Sequence, residues 1–448
     1  MSTSDTIAAI ATPPGRGGVS IIRLSGAQVP AIATCVLGRL PVPRHATFCQ
    51  FRNQHETVDE GIALYFPAPN SFTGEDVLEL QGHGGVIVSD LILQAVLQAG
   101  ARMARPGEFS ERAFINDKLD LAQAEAVVDL IDAGSRQAAR AAVRTLEGEF
   151  SRYVNELLAE LIELRVYVES SLDFADEEIE FLQSGDIERR LYQLRQKITM
   201  LSQSAERGRV LSEGLQIVIA GKPNAGKSSL MNGLSERDSA IVTDMPGTTR
   251  DILREQVTIE GIPIHLHDTA GLRELAEPIE QEGIRRAKDH IATADLVLWV
   301  HDDSEPLEDA DYRDLPAGRM LLVCNKIDLT GRSAGIGSIH QHDAVSISMT
   351  SGEGLADLRT YIVEHATHSR SSETEFTARR RHLHALEQTG AALDNAEKRL
   401  AEQFSSGGTG ELIAEELRLA QQSLGEITGE FTPDDLLGKI FSEFCIGK

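Results

Sequence analysis

The sequence predicts a multidomain chain of mixed α/β and α+β class. Three observations predict it. From Gln216 to about His368, short apolar runs alternate with helical stretches, the pattern of an α/β domain with a mostly parallel sheet. On both sides of it, long segments carry apolar residues at helical spacing, as in a helical bundle. Ahead of these, Thr6 to about Asp117 mixes strand-like runs, glycine-rich turns and a helix, as in an α+β unit. The expected divisions are 1–118 for the N-terminal domain, 119–212 and 371–448 for two parts of a helical domain, and 213–370 for an α/β domain inserted between them. Insertion at an exposed connection is well tolerated.

Bulk properties bound the function. The chain has 448 residues, with 41% hydrophobic and 25% charged residues, the composition of an ordinary globular protein. Forty-three basic against 69 acidic residues leave a net charge of −26. That opposes broad non-specific binding to nucleic acid. The densest basic run is Arg379-Arg380-Arg381-His382, either a local patch or a solvated helix face. Four scattered cysteines suggest neither disulfides nor a zinc site. No apolar run approaches a membrane span, and Met1–Asp5 lacks a basic leader region. A cytoplasmic protein with no membrane partner is expected.

Each element follows in order. Ile7–Ala11 and Val19–Gly26 read as strands around the loop Pro13–Gly18, and Gly61–Phe66 and Asp76–Gln81 as further strands. Gly82-His83-Gly84-Gly85 is a turn into a helix from Val86 to Leu97. Three glycines around His83 suggest close backbone approach; a tight turn with an idle histidine is an equal alternative. Leu121–Ile131 is rich in helix formers. Val154, Leu157, Leu158, Leu161 and Val168 mark a long amphipathic helix ending near Leu172. Another runs from Ile187 to about Glu206, after an acidic linker, Asp173–Glu180. Ile264–His267, Leu296–Val300 and Met320–Cys324 are buried-strand candidates. Helical texture returns from Ala378 to Phe404 and from Glu411 to Gln422.

The inserted domain carries the chemistry. Gly221-Lys222-Pro223-Asn224-Ala225-Gly226-Lys227-Ser228 fits G-x-x-x-x-G-K-[ST], between the apolar run Gln216–Ala220 and a helix opening at Ser229. Strand, glycine-rich loop and helix N-terminus together cradle phosphates. Lys227 would reach the β- and γ-phosphates and Ser228 would hold Mg²⁺. A chance glycine-rich turn is the bland alternative, and the setting argues against it. Asp268-Thr269-Ala270-Gly271 follows a strand, with the aspartate near Mg²⁺ and the glycine N–H at the γ-phosphate. In Asn325-Lys326-Ile327-Asp328, the Asp328 carboxylate can accept two hydrogen bonds from guanine that adenine cannot donate. Ser348-Met349-Thr350 would back the base, and Thr249 of Pro246-Gly247-Thr248-Thr249 is the expected switch ligand to Mg²⁺. Each motif is weak singly; four in this order point to a GTPase. Position 272, where Ras-like proteins carry a water-orienting glutamine, is Leu272, so another residue must orient water. Glu280, Glu282 and Arg273 stand nearby, each alternatively an ordinary surface charge.

Beyond these motifs, several stretches together resemble one family, the MnmE (TrmE) family of tRNA-modification GTPases. They are Ala11–Gly17, Ile22–Gly26, Ser71–Asp76, Leu80–Gly85, Arg105–Ser110, Asn116–Leu121 and the terminal Phe444-Cys445-Ile446-Gly447-Lys448. The likeness spans essentially the whole chain. It implies a tetrahydrofolate-binding N-terminal domain that joins a homodimer, a helical domain and an inserted G domain. It implies a complex with the FAD-containing protein MnmG, acting on tRNA. Such complexes place a carboxymethylaminomethyl or aminomethyl group on C5 of the wobble uridine, with 5,10-methylene- or 5-formyl-tetrahydrofolate as the one-carbon source. By the same resemblance, Asn224, Thr243, the Met245 carbonyl and Thr248 would hold K⁺, with Asp244 in the same nucleotide-binding loop. Glu280 would position water. Arg23, Glu79, Lys118 and Lys448 would contact folate. Cys445 is a nucleophile or an idle thiol, and no neighbour argues for the first. A folate-sensing or ribosome-assembly GTPase without a modifying role is the alternative, and a scaffold holding structural GTP a further one.

Overall fold

The computed structural model describes residues 5–54, 56–173, 184–235, 254–268, 291, 294–308, 312, 317–367, 376–406, 410–430, 434–442, 444 and 447. They form two compact units, one of residues 1–128, 146–191 and 391–448, the other of residues 129–145 and 192–390.

The first unit opens with a six-stranded sheet. Its elements are β1 (Ile7–Ile10), β2 (Ser20–Ser25), α1 (Val29–Leu37), β3 (Thr47–Asn53), β4 (Glu56–Phe66), β5 (Val77–Gly82), α2 (Val86–Gln98), β6 (Arg102–Met103) and α3 (Glu108–Ile115). The strand order is β3-β4-β5-β2-β1-β6. Pairing is antiparallel except for β1 with β6. Alternation buries Ile22 and Leu24 of β2 and Leu78 and Leu80 of β5 against Ile32 and Ile92. It turns Arg23 and Glu79 to the other face, directly opposite in register. All four strands read from the sequence are present, as is the helix from Val86. The sequence reading missed α1, α3, β3, the first half of β4 and the two-residue β6. In β3, Phe48 and Phe51 stand three residues apart and so on opposite faces, with Phe48 67% exposed, so the strand lacks a clean apolar alternation.

Helices follow: α4 (Leu121–Ile131), α5 (Arg136–Leu146), α6 (Glu149–Asp173) and α7 (Ser184–Glu213). In the first unit, α6 buries Phe150, Val154, Leu157, Leu161, Leu164 and Val168 along one face. The helix Gly410–Gly425 lies along it and buries Ile413, Leu417, Ala420 and Leu424. Arg165 of α6 bonds Gln421 at 2.6 Å. The C-terminal helix Asp434–Ser442 sets Ile440 and Phe441 against Leu121 and Ala124 of α4. Both α7 and the helix Arg380–Ser406 contribute residues to the two units.

The second unit holds a seven-stranded sheet with β7 (Leu215–Gly221), α8 (Lys227–Ser235), β8 (Arg254–Ile259), β9 (Ile262–Asp268), β10 (Leu296–Asp302), β11 (Met320–Asn325), β12 (Gly335–Ile339) and β13 (His342–Ser346). The order is β12-β13-β11-β10-β7-β9-β8. Five strands are parallel, with antiparallel β8 and β12 at the edges. The whole of β11 is buried, as a strand covered on both faces requires. The loops after β7, β10, β11 and β13 leave from the carboxyl ends of neighbouring parallel strands, where open α/β sheets bind ligands.

Candidate functional site

The glycine-rich loop leaves β7 at Gly221 and enters α8 at Lys227. Gly226 has φ +99°, and a Cβ there would stand 2.2 Å from Asn325 Nδ2, so only glycine fits. The close approach serves a bond: Asn325 Nδ2 donates to the Ala225 carbonyl at 2.9 Å. Its Oδ1 accepts from the Met349 N–H at 3.2 Å. Asn325, 2% exposed, thus ties together the loops after β7, β11 and β13. Lys227 is 8% exposed and donates to the carbonyls of Gly221 at 3.1 Å and Lys222 at 2.8 Å. Its ammonium is held over the loop. The N–H groups of the first turn of α8 have no partners within the helix, and with the helix dipole they favour an anion. Ser228 and Ser229 are exposed there, and exposed Asn224 holds φ +64°.

At the other end of the site, Asp328 lies in the short helix Ile327–Thr330. Its Oδ1 accepts from Ser348 Oγ at 2.6 Å, and Ser348 is fully buried. Met349 packs on the domain core and Thr350 is exposed. Lys326 has φ +67° and donates to Asp302 Oδ2 at 2.5 Å. That bond, helped by Ser304, holds the Asp302 carboxyl down to about 2. The fold therefore brings Ala225, Gly226, Lys227, Asn325, Ser348 and Met349 into one region, with Asn325 bonding Ala225 and Met349, and with Asn224, Ser228, Ser229, Asp328 and Thr350 exposed around it. Asp268 ends β9. Thr243, Asp244, Met245, Pro246, Gly247, Thr248, Thr249, Thr269, Ala270, Gly271, Leu272 and Glu280 lie outside the described residues. Asp302 and Asp303 were not singled out by sequence reasoning; strand register, which composition does not reveal, sets Asp302 beside Asn325.

In the first unit, Arg23 donates to Glu79 Oε1 from Nη2 at 2.8 Å and from Nε at 3.0 Å. The Phe72 ring lies 5.6 Å from its guanidinium carbon. Phe72 belongs to a loop that Asn116 fastens, its Nδ2 donating to the Thr73 carbonyl at 2.7 Å. Exposed Lys118 lies against Gly74 of the same loop. Lys448 and Cys445 are outside the described residues, but Gly447 sits against the backbone of Ile10 and Ala11. His83 is not idle. Asp59 receives its Nδ1 at 2.7 Å and its backbone N–H at 2.8 Å. The hydrogen bond to Asp59 raises the imidazole above its usual value.

A family model described as the MnmE helical domain matches residues 121–445. Another, described as the N-terminus of the GTP-binding protein TrmE, matches residues 6–118. The tRNA modification GTPase MnmE of Nitrosococcus oceani is 53% identical over 450 residues, 99% of this chain and 97% of that protein. The chain belongs to the MnmE family. A second MnmE relative, from Pectobacterium carotovorum, is 52% identical over 458 residues and covers both chains completely. In this MnmE-family chain the basic run forms no free patch. Arg379 pairs with Asp129 at 2.8 Å and Arg380 with Glu213 at 3.4 Å, while His382 is 2% exposed. Among the described residues, no helix is long and apolar enough to cross a membrane.

Proposed function

We propose that the chain is a K⁺-activated GTPase that works with an FAD-containing partner, MnmG in this family. Together they install a carboxymethylaminomethyl or aminomethyl group at C5 of the wobble uridine of certain tRNAs. The observation that carries the GTPase reading is the Asn325 bridge between the phosphate loop and the guanine-reading turn. The end-to-end match to MnmE relatives supports the tRNA role.

In this reading Lys227, already held at the loop, moves its charge onto the β- and γ-phosphates. Ser228 and Thr249 hold Mg²⁺; Asn224, Thr243, the Met245 carbonyl and Thr248 hold K⁺. The tight, glycine-built loop and the exposed Asn224 and Ser228 side chains fit such cations. Together the cations would supply positive charge against the negative charge of the phosphate oxygens. Asp328 selects guanine, and Glu280 orients the attacking water in place of Leu272. Arg23, Glu79, Lys118 and Lys448 bind a 5,10-methylene- or 5-formyl-tetrahydrofolate. The paired charge of Arg23 and Glu79 beside the Phe72 ring suits a flat ligand with polar edges. The domain divisions 1–118, 119–212, 213–370 and 371–448, a homodimer and a cytoplasmic location complete the proposal.

The experiment measures GTP hydrolysis in K⁺ and in Na⁺, with nucleoside analysis of tRNA from a deletion strain. Faster turnover in K⁺ and loss of the wobble modification are expected. Equal rates in both salts would remove the K⁺ assignment, and unaltered tRNA would remove the modifying role.

A further inference from the structure

We propose that Asp302 and Asp303 are positioning residues for guanine recognition, holding the Asn325–Asp328 turn from behind at its two ends. The proposal rests on reading this site as a guanine-nucleotide site. β10 and β11 are parallel, and their register sets Asp302 beside Asn325. The two strands end together, and the turn after each is fastened to the other. At the entrance, Lys326 donates to Asp302 Oδ2 at 2.5 Å. Ser304 fixes the other carboxylate oxygen, through Oγ at 2.7 Å and its backbone N–H at 3.1 Å. The Asp303 N–H donates to the Asn325 carbonyl at 2.9 Å. At the exit, the Asp303 carboxylate receives Arg332 Nε at 2.8 Å and the Thr330 hydroxyl.

Such fastening is needed because Lys326 has φ +67°, a conformation unfavourable for a residue with a side chain. The Lys326–Asp302 bond, charged at both ends, is of the strong kind that can hold it. Asp303, its side chain only 4% exposed, acts on the turn rather than on a ligand. A loop left loose at this point would still carry Asn325 and Asp328 but would aim them poorly. Binding sites lose selectivity when their polar groups are not held in place.

The test uses the whole 448-residue chain with fluorescence-labelled GDP and IDP, which differ by the 2-amino group that Asp328 would read. Asp302→Ala and Asp303→Ala should each weaken GDP binding roughly ten-fold or more and narrow the GDP-over-IDP preference. KM for GTP should rise by a similar factor while kcat at saturation changes far less. Asp302→Glu, which keeps the carboxylate, should recover part of the loss. The double variant Asp302→Ala/Lys326→Ala should bind no worse than Lys326→Ala alone. If an alanine variant fails to fold, Asp302→Asn and Asp303→Asn carry the test, since they keep the shape. Unchanged affinity and unchanged GDP-over-IDP preference in the folded variants would overturn the proposal alone. A wild-type chain that binds ADP as tightly as GDP would remove the guanine reading, and this proposal with it.

Discussion

The side-chain amide of Asn325 donates to the backbone carbonyl of Ala225 at 2.9 Å, so the residue that opens the turn after β11 also braces the glycine-rich loop after β7. Asn325→Ala should therefore do more than lose a base contact. It removes the partners of the Ala225 carbonyl and the Met349 N–H inside a site where Asn325 is 2% exposed. Leaving such groups unsatisfied costs about 1–3 kcal/mol. The nucleotide-free chain should lose stability in a urea melt as well as affinity for GDP. A variant that loses affinity with an unchanged melt would limit Asn325 to base contact.

A second brace lies in the first unit, where Gly107 has φ +67° and a Cβ would fall 2.3 Å from the Phe441 carbonyl. Gly107→Ala should cost about 1–3 kcal/mol, from backbone strain and overpacking against the C-terminal helix. Gly18→Ala is the control, since a Cβ there meets nothing within 4 Å. Urea melts of both variants decide it; equal midpoints would show that the C-terminal helix yields freely.

The legible parts of this fold are those where one residue type serves one purpose. The central strands β7, β10 and β11 are continuous apolar runs because both faces are covered, and they stand out at once. The edge strands β8 and β12 do not. Their hairpins turn at Glu260-Gly261 and at His340-Gln341, with φ of +49° and +86°, and +49° and +69°. Three of those four residues are not the glycine or asparagine that marks such turns. The phosphate loop was legible because its glycines are dictated by close approach. Asp302, Asp303 and Asp59 were not, because each matters through a partner that only strand register or tertiary packing supplies.

The His83–Asp59 pair makes a pH prediction. Hydrogen bonding to Asp59 lifts His83 above its ordinary value. Burial would raise Asp59, but the hydrogen bonds from His83 and from the Glu60 backbone, with the His83 charge, together lower that carboxyl. A raised histidine stabilises the fold below its unfolded pKa and stops doing so as pH rises through the folded value. A lowered aspartate does so above its unfolded pKa and stops as pH falls. The pair is therefore strongest between about pH 4 and 6.5, the two unfolded values. Imidazole NMR should show His83 titrating above about 6.5 in the wild type and near that value in Asp59→Asn. An identical titration in both would mean that the contact does not hold in solution.

Arg23 and Glu79 separate folate binding from stability. Their side chains are 23% and 15% exposed, so water still reaches the pair, and a glutamine at 79 keeps an amide oxygen that can accept from Arg23. Glu79→Gln should thus leave the melt of the chain almost unchanged. If the pair binds folate as proposed, the same change should weaken tetrahydrofolate binding roughly ten-fold, the usual scale for losing a charge-assisted hydrogen bond. GTP hydrolysis by the separate phosphate-loop site should stay within about two-fold, an effect too small to signal lost binding energy. Phe72→Leu removes one of the two rings over Arg23, leaving Phe109 at 6.0 Å, a loss of about 0.5–1 kcal/mol, and so should cost roughly two- to five-fold in folate affinity. Calorimetric titration with 5-formyl-tetrahydrofolate reads all three variants. Unaltered folate affinity in Glu79→Gln would move the ligand elsewhere on the N-terminal domain, whereas a collapsed melt would make the Arg23–Glu79 pair a structural bond.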